Sequence, residues 1–408
     1  MMKKNLDVFE IIEKYDNISK FVIIKIEAQR RGVYYKDNAL KLVNKKIHQT
    51  QQRSFSRESN SLIPVSFILR DGTTVITRNV DKIDKTNLPL EIDAIDGKIF
   101  LFDNGRRLEE IFYWEKPEFY NKYTTKGTPM WNIVSARPQR IDINPYQNCQ
   151  LWSKFNLGCK FCEIFSTFNK TKKPEFVNID EIIETVQEAI KESGRFTNIV
   201  LTGGAIIDGI NMFDQEVNQY IKILQGIGTL FDSNKFPSQV IGMAYSKKQI
   251  EKLYYNTGIM SYTADIEVLD KDIFEWICPG KAQIIGYDEW KKRLFDAVEI
   301  FGKGNVGTGI VSGVELVQPN GFKSEEEAII SNLKEAEEFF KNGVNVVSCV
   351  WRIAPGSVFK NQKQASLEYY VKMAEGLDSL RKKYKINVDM DNYRKCGNHP
   401  DTDLARIW

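Results

Sequence analysis

The sequence predicts an α/β protein built on a parallel sheet. Three observations carry this. Six apolar, β-branched segments recur between residues 140 and 353, an amphipathic helical pattern follows each, and helix start and stop residues sit at the joints. Six βα units in succession imply a parallel sheet with helices packed outside it. They are too few for a closed eight-stranded barrel, so an open partial barrel or a doubly wound sheet remains.

Residues 5–30 read as a helix. SLIPVSFILRDGTTVITRNVD and GKIFLFDNGRR follow, and read as strands broken by Asp-Gly and Asn-Gly turns. The six repeated strands are placed at 140–146, 197–204, 238–245, 260–268, 306–317 and 345–353. Their helices are placed at 178–193, 213–230, 247–257, 286–301, 325–341 and 366–384. Asn178–Glu181, Ser246–Gln249 and Ser324–Glu327 have capping-box spacing, and Gly194, Gly258, Gly302 and Gly343 stand where helices stop. The chain thus divides into an α+β N-terminal extension (1–137), the repeated units (138–385) and a short tail (386–408).

Composition bounds the function. The chain has 408 residues, 42% apolar and 27% charged, with a formal net charge of +3. That balance gives no strong field toward nucleic acid or membrane. No apolar run reaches the roughly 18 residues of a membrane span, and the N-terminus MMKKNLDVFEIIEKYD lacks the pattern of a signal peptide. A cytoplasmic protein is expected. Its six cysteines are too unevenly spaced for a disulfide framework, so reduced thiols are available as metal ligands. Residues 38–57 hold five Lys/Arg and no Asp or Glu. They read as a solvated face, with RNA contact as the alternative.

Three cysteines cluster in NCQLWSKFNLGCKFCE, with gaps of nine and then two residues. Cys149, Cys159 and Cys162 are soft ligands suited to zinc or an iron–sulfur cluster. Structural zinc wants a fourth ligand, which would have to come from afar, such as Cys396 or His399. A cluster held by three thiolates leaves one iron open for a small molecule. The stretch follows the first repeated strand, where parallel sheets carry function.

The CKFC half of this stretch, with Phe161 before the last cysteine, resembles the radical S-adenosylmethionine (SAM) superfamily. The nine-residue first gap departs from its usual three, although some members, such as the elongator catalytic subunit, have nine. The resemblance implies a (βα)6 partial TIM barrel over residues 138–385. It implies a [4Fe–4S] cluster on Cys149, Cys159 and Cys162, with SAM on the open iron. Reduced ferredoxin or flavodoxin would supply an electron, and a 5′-deoxyadenosyl radical would take hydrogen from a small-molecule substrate. An RNA-modifying member and a noncatalytic metal protein are the alternatives.

Further positions follow from it. Gly203 and Gly204 match the family's Gly-Gly-Glu turn that receives the methionine amino group, with Ala205 in place of the Glu. A tight turn alone also explains the glycines. Asp265 and Glu267 match its strand-4 Asn-x-Glu and, two apart on a strand, share a face. Facing inward they suit a ribose; facing outward they are a solvated pair. Ser312 and Glu315, in GIVSGVE, approximate the adenine-contacting strand, and Val350–Ile353 a backbone shelf beside it. Arg352 is expected on the SAM carboxylate or, failing that, on a helix-facing surface. Cys278 and Cys349 read as inert core thiols. Cys396, with His399 at C-x-x-H spacing, reads as a structural tail or as a hydrogen-atom donor in catalysis. Gly302-x-Gly304-x-x-Gly307 imitates a dinucleotide fingerprint, but it enters a strand rather than opening a helix and is rejected.

Overall fold

The computed structural model describes residues 6–50, 63–64, 66–80, 88–171, 174–387 and 395–405. Two sheets organise them. The larger runs β13-β12-β11-β10-β9-β8-β7. Its strands are β7 (Val134–Ala136), β8 (Arg140–Ile143), β9 (Asn198–Thr202), β10 (Ser238–Ile241), β11 (Ser261–Thr263), β12 (Val306–Ser312) and β13 (Val344–Val350). The pairs from β8 to β13 are all parallel, and β7 adds antiparallel to β8. A doubly wound sheet reverses its strand order midway. This one does not, and its sequential order is consistent with a partial barrel.

The helices that follow the strands come close to their expected places. They are α3 (Ile179–Ala189), α4 (Asp214–Gly228), α5 (Lys247–Tyr255), α6 (Tyr287–Phe301), α7 (Glu325–Lys341) and α8 (Leu367–Tyr384). Local chemistry sets their ends. Asn178 accepts from Glu181 N–H, Ser324 from Glu327 N–H, and Gln249 from Ser246 N–H. Gly302 closes α6 at φ 86°, and Gly343 follows α7 at φ 84°.

Alternation along the strands separates two faces. Ile141, Leu201, Val240, Tyr262, Ile310 and Val346 turn to the helices and share one core. Asp142, Gln239, Thr263, Gly307, Gly309 and Cys349 occupy the opposite, inward positions. Gln239 donates to Thr263 Oγ1 at 2.9 Å, and a Cβ on Gly307 would lie 2.9 Å from the same oxygen.

The smaller sheet runs β1-β4-β5-β6-β2-β3. Its strands are β1 (Val33–Tyr35), β2 (Phe67–Leu69), β3 (Thr74–Val75), β4 (Leu90–Ile95), β5 (Lys98–Asp103) and β6 (Arg106–Tyr113). Asp96-Gly97 and Asn104-Gly105 both turn with positive φ at each residue, the geometry of two-residue hairpins. This sheet has its own core around Ile24, Phe67, Leu90 and Ile111.

Several boundaries differ from expectation. The first helix is two, α1 (Val8–Lys14) and α2 (Lys20–Arg31). Asp16, Asn17 and Ser19 between them are residues whose side chains favour turns and caps over helix interiors. The fourth repeated strand stops at Thr263 rather than 268, and the fifth at Ser312, where Gly313 turns at φ 94°. Of the basic segment 38–57, residues 51–57 lie outside the described residues.

The tail lies along the open side of the sheet. A short helix, α9 (Pro400–Asp403), touches α2, α8 and β13. Asp401 accepts from Ser348 N–H at 2.9 Å and pairs with Arg381 at 2.6 Å. Asp403 pairs with Lys25 of α2 at 2.6 Å, both side chains fully buried. Among the described residues no helix is long and apolar enough to cross a membrane.

Candidate active site

Two loops meet at the C-terminal ends of β8 and β9. Cys149 begins a short helical turn, its carbonyl accepting from Ser153 N–H at 2.9 Å. Gln150 ties this turn to the glycine loop. Its N–H donates to Ala205 O at 2.9 Å, and its Oε1 accepts from Ile207 N–H at 2.6 Å. The glycines permit the approach. A Cβ on Gly204 would lie 2.0 Å from Asn148 O and 2.6 Å from Cys149 Cβ, and one on Gly203 2.9 Å from Tyr146 O. Close packing, and not only a turn, therefore requires both glycines.

A third segment braces the other cysteines. Lys160 N–H donates to Ile277 O at 2.9 Å, and Gly280 N–H to Leu157 O at 2.8 Å. Cys162 N–H donates to Cys159 O at 3.0 Å, and Phe161 between them packs against the main core. The structure brings the three thiols into one electrostatic neighbourhood. Burial pushes Cys162 up to about 12 and raises Cys149, and Cys159 adds to both shifts. Cys159 itself is lowered, chiefly by a hydrogen bond with Cys278. Cys278 was expected to be an inert core thiol. It is buried, but it stands beside a proposed ligand.

Three thiols on a loop above a parallel sheet fit the donor chemistry of an iron–sulfur cluster. Among the described residues no three His, Cys, Asp or Glu side chains close on a single ion. The thiolates of a cubane bind different irons and stand further apart than those of one zinc.

Asp265 and Glu267 reach this neighbourhood by another route than the strand alternation predicted. Both lie beyond β11, and Glu267 has φ 73°. Gly309 N–H donates to Asp265 Oδ1 at 2.7 Å, while Glu267 N–H donates to Gly309 O at 2.9 Å. Burial raises the Glu267 carboxyl to about 7, against the pull of Lys281, whose Nζ lies 2.7 Å from Oε1. The Glu267 charge is felt at Cys159 and Cys162. Lys281, just after Pro279-Gly280, was missed in the sequence.

Ser312 does not turn inward. It alternates with Val311 and shares the helix-facing side of β12 with Thr308 and Ile310. Glu315 likewise meets Asn332 of α7 at 3.0 Å and the Tyr369 hydroxyl of α8. Glu315 lies past the end of the strand, after the turn at Gly313.

Arg352 lies two residues beyond the end of β13. Its surroundings are Cys349, Arg78, Arg137 and Glu163, the residue after Cys162. Cys396 is buried 3.4 Å from His399 Nδ1, with Arg137 Nη1 3.5 Å from its sulfur. Burial pushes the thiol up, but the charge and hydrogen bond of His399 together with the Arg140 and Arg137 guanidinium groups hold Cys396 at about 6. His399 is raised well above its ordinary value despite burial, because Cys396 and Cys349 both face it. Cys349 is therefore not isolated in a core either. This group sits by the inward residue Asp142, which pairs with Arg137 and Arg140. Cys396 thus belongs to the open seam beside β13, with His399 and Arg137 as its partners.

A further residue was missed. Glu216 on α4 is buried, and its Oε2 accepts from Ile206 N–H at 2.6 Å, behind the glycine loop. Burial raises it to about 7. Its signal was a carboxylate beside the apolar stripe Val217, Tyr220, Ile221 and Leu224.

No protein-family profile matches the chain. It is 22% identical over 326 residues to bacteriochlorophyllide c C-7(1)-hydroxylase of Chlorobaculum limnaeum, covering 74% of each. Among solved structures, a radical SAM methyltransferase from Sphaerobacter thermophilus aligns over 97% of this chain and 98% of that one, at 12% identity and TM-score 0.42. HydG, a maturase of the [FeFe]-hydrogenase, aligns over 60% of this chain and 49% of its own, at 15% identity and TM-score 0.44. The chain is thus distantly similar in sequence to a hydroxylase.

Proposed function

We propose that Cys149, Cys159 and Cys162 hold a [4Fe–4S] cluster and that SAM binds between it, the Gly203–Gly204 backbone and the Asp265–Glu267 pair. The observation that carries this is the grouping of three thiols, of which Cys149 packs against a glycine loop that admits no side chain. Bound there, the cluster and SAM would supply a 5′-deoxyadenosyl radical able to take hydrogen from an unactivated carbon. The chain's own part is to bind, orient and exclude water. Gly203 and Gly204 leave space and bare backbone. Lys281 fixes one Glu267 oxygen and leaves the other for a hydroxyl. Phe161 covers the loop between two ligands. Cys396 in its S–H form, with the proton supplied by His399 beside it, is offered as a donor of one hydrogen atom to a substrate radical, and is left as a thiyl radical.

The substrate is proposed to be a small molecule and the reductant a ferredoxin or flavodoxin. The test is anaerobic reconstitution. We expect a brown protein with about four irons per chain and 5′-deoxyadenosine on reduction with SAM. Cys149→Ala, Cys159→Ala and Cys162→Ala should each abolish it. Cleavage that survives in the triple variant would refute the reading.

A further inference from the structure

Arg78 belongs to the N-terminal segment but ends at the barrel. Its backbone is clamped. Its carbonyl accepts from Val33 N–H at 2.9 Å, and a Cβ on Gly32 would lie only 2.8 Å from that oxygen. Thr77 beside it donates to Ala28 O of α2. From this fixed point the side chain crosses to the end of β13, where Nη1 donates to Ile353 O at 3.2 Å.

Arg352, the neighbour of that acceptor, lies in the same field, and Arg137 adds a third guanidinium. Arg137 is occupied by Asp142 and by the Cys396 carbonyl. Arg78 and Arg352 have no carboxylate at ion-pair distance among the described residues. Glu163 influences both, but its Oε2 is engaged by Gly356 N–H at 3.2 Å. Burial holds both arginines below the usual guanidinium range. Two desolvated like charges are costly unless an anion joins them. A guanidinium fork is shaped for carboxylate or phosphate.

We propose that Arg78 and Arg352 together bind an anionic group of the substrate, a carboxylate or a phosphate, so that the N-terminal segment takes part in substrate recognition. The proposal rests on reading the adjacent loops as the active site. The SAM carboxylate, expected on Arg352 from the sequence, is one anion on a cofactor that also carries an ammonium and a sulfonium. It does not account for a second arginine brought from the N-terminal segment.

The test uses the full chain and two probes, inorganic phosphate and succinate, each titrated at ionic strength held constant with sodium chloride. The melting temperature of the wild type should rise saturably with one of them, and the probe effective at lower concentration names the class. Arg78→Gln and Arg352→Gln should each weaken the midpoint about tenfold or more, the scale of one charged hydrogen bond. Arg195→Gln, on the far surface, should respond like the wild type. If either glutamine variant fails to fold, Arg78→Lys and Arg352→Lys keep the charge, lose the fork and should still bind more weakly. A wild type that saturates with neither probe, or variants that respond as it does, overturns the proposal. Loss of SAM binding alone in Arg352→Gln, with both probes unaffected, also overturns it. Iron content on the same preparations separates the two readings. Protein that loads iron but ignores both anions sinks only this site, and protein that binds anion but loads no iron sinks only the cluster.

Discussion

Gly204 leaves no space for a methyl group, since its Cβ would meet backbone 2.0 Å away. Gly204→Ala must therefore move either the glycine loop or Cys149. We expect a loss of about 1–3 kcal/mol in stability and at least about tenfold weaker SAM binding, read by denaturant melts and calorimetric titration of reconstituted protein. Unchanged SAM affinity would show that the loop is only a turn. The two glycines were legible in the sequence because glycine announces backbone demands. Glu216 was not, because a single carboxylate on an amphipathic helix looks like surface until its partners are known. It holds Ile206 N–H from behind the loop, and burial raises it from the carboxylate range to about 7. The sign follows. Between about pH 4.5 and 7 the folded state keeps a proton that the unfolded state has lost, so stability falls as pH rises through that window and levels off above it. Glu216→Gln should flatten this slope in thermal melts from pH 5 to 8. Parallel wild-type and variant slopes would show that Glu216 is ionised in the fold.

Elements were read well where caps and local periodicity decide them, and poorly where distant pairing does. The helices after the repeated strands start within a residue or so of their capping residues, because an Asn or Ser side chain bonds to a backbone N–H three positions on. The parallel pairing of β1 with β4, across more than fifty residues, leaves no local mark. The strand at 260–268 was drawn too long because apolar residues continue past Thr263, while the backbone turns at Glu267. The tail, expected to close or cap the barrel, lies along the open side, against Ser348 of β13 and Arg137 before β8. There Lys25 and Asp403 form an ion pair with no exposed side-chain surface. Lys25→Met leaves a buried carboxylate and should cost about 3–5 kcal/mol in urea melts. Lys25→Met with Asp403→Leu should recover part of that loss. If the double variant is less stable than the single one by the full Asp403→Leu cost, the two side chains are not coupled.

At the scale of the molecule, the N-terminal residues do not read as a separable extension. Val8, Ile11, Val22, Ile23 and Ile26 of α1 and α2 lie in the same buried cluster as Ile141, Val344 and Tyr370. The smaller sheet keeps its own core, yet α2 serves both, with Ile24 and Ala28 turned to that sheet. A partial barrel has two free edges, and apolar residues beside a free edge need a cover. Here α2 and the tail supply it next to β13, and Arg78 is delivered by the same packing. One core divided between segments so far apart in sequence should unfold as a unit. Calorimetry of the full chain is expected to show one cooperative transition. A fragment of residues 138–408, stripped of α1 and α2, should expose the seam, bind a hydrophobic dye and lack a sharp melt. Two resolved transitions in the full chain, or a fragment that melts cooperatively and still loads iron through its three cysteines, would mean that the barrel stands without its N-terminal partner.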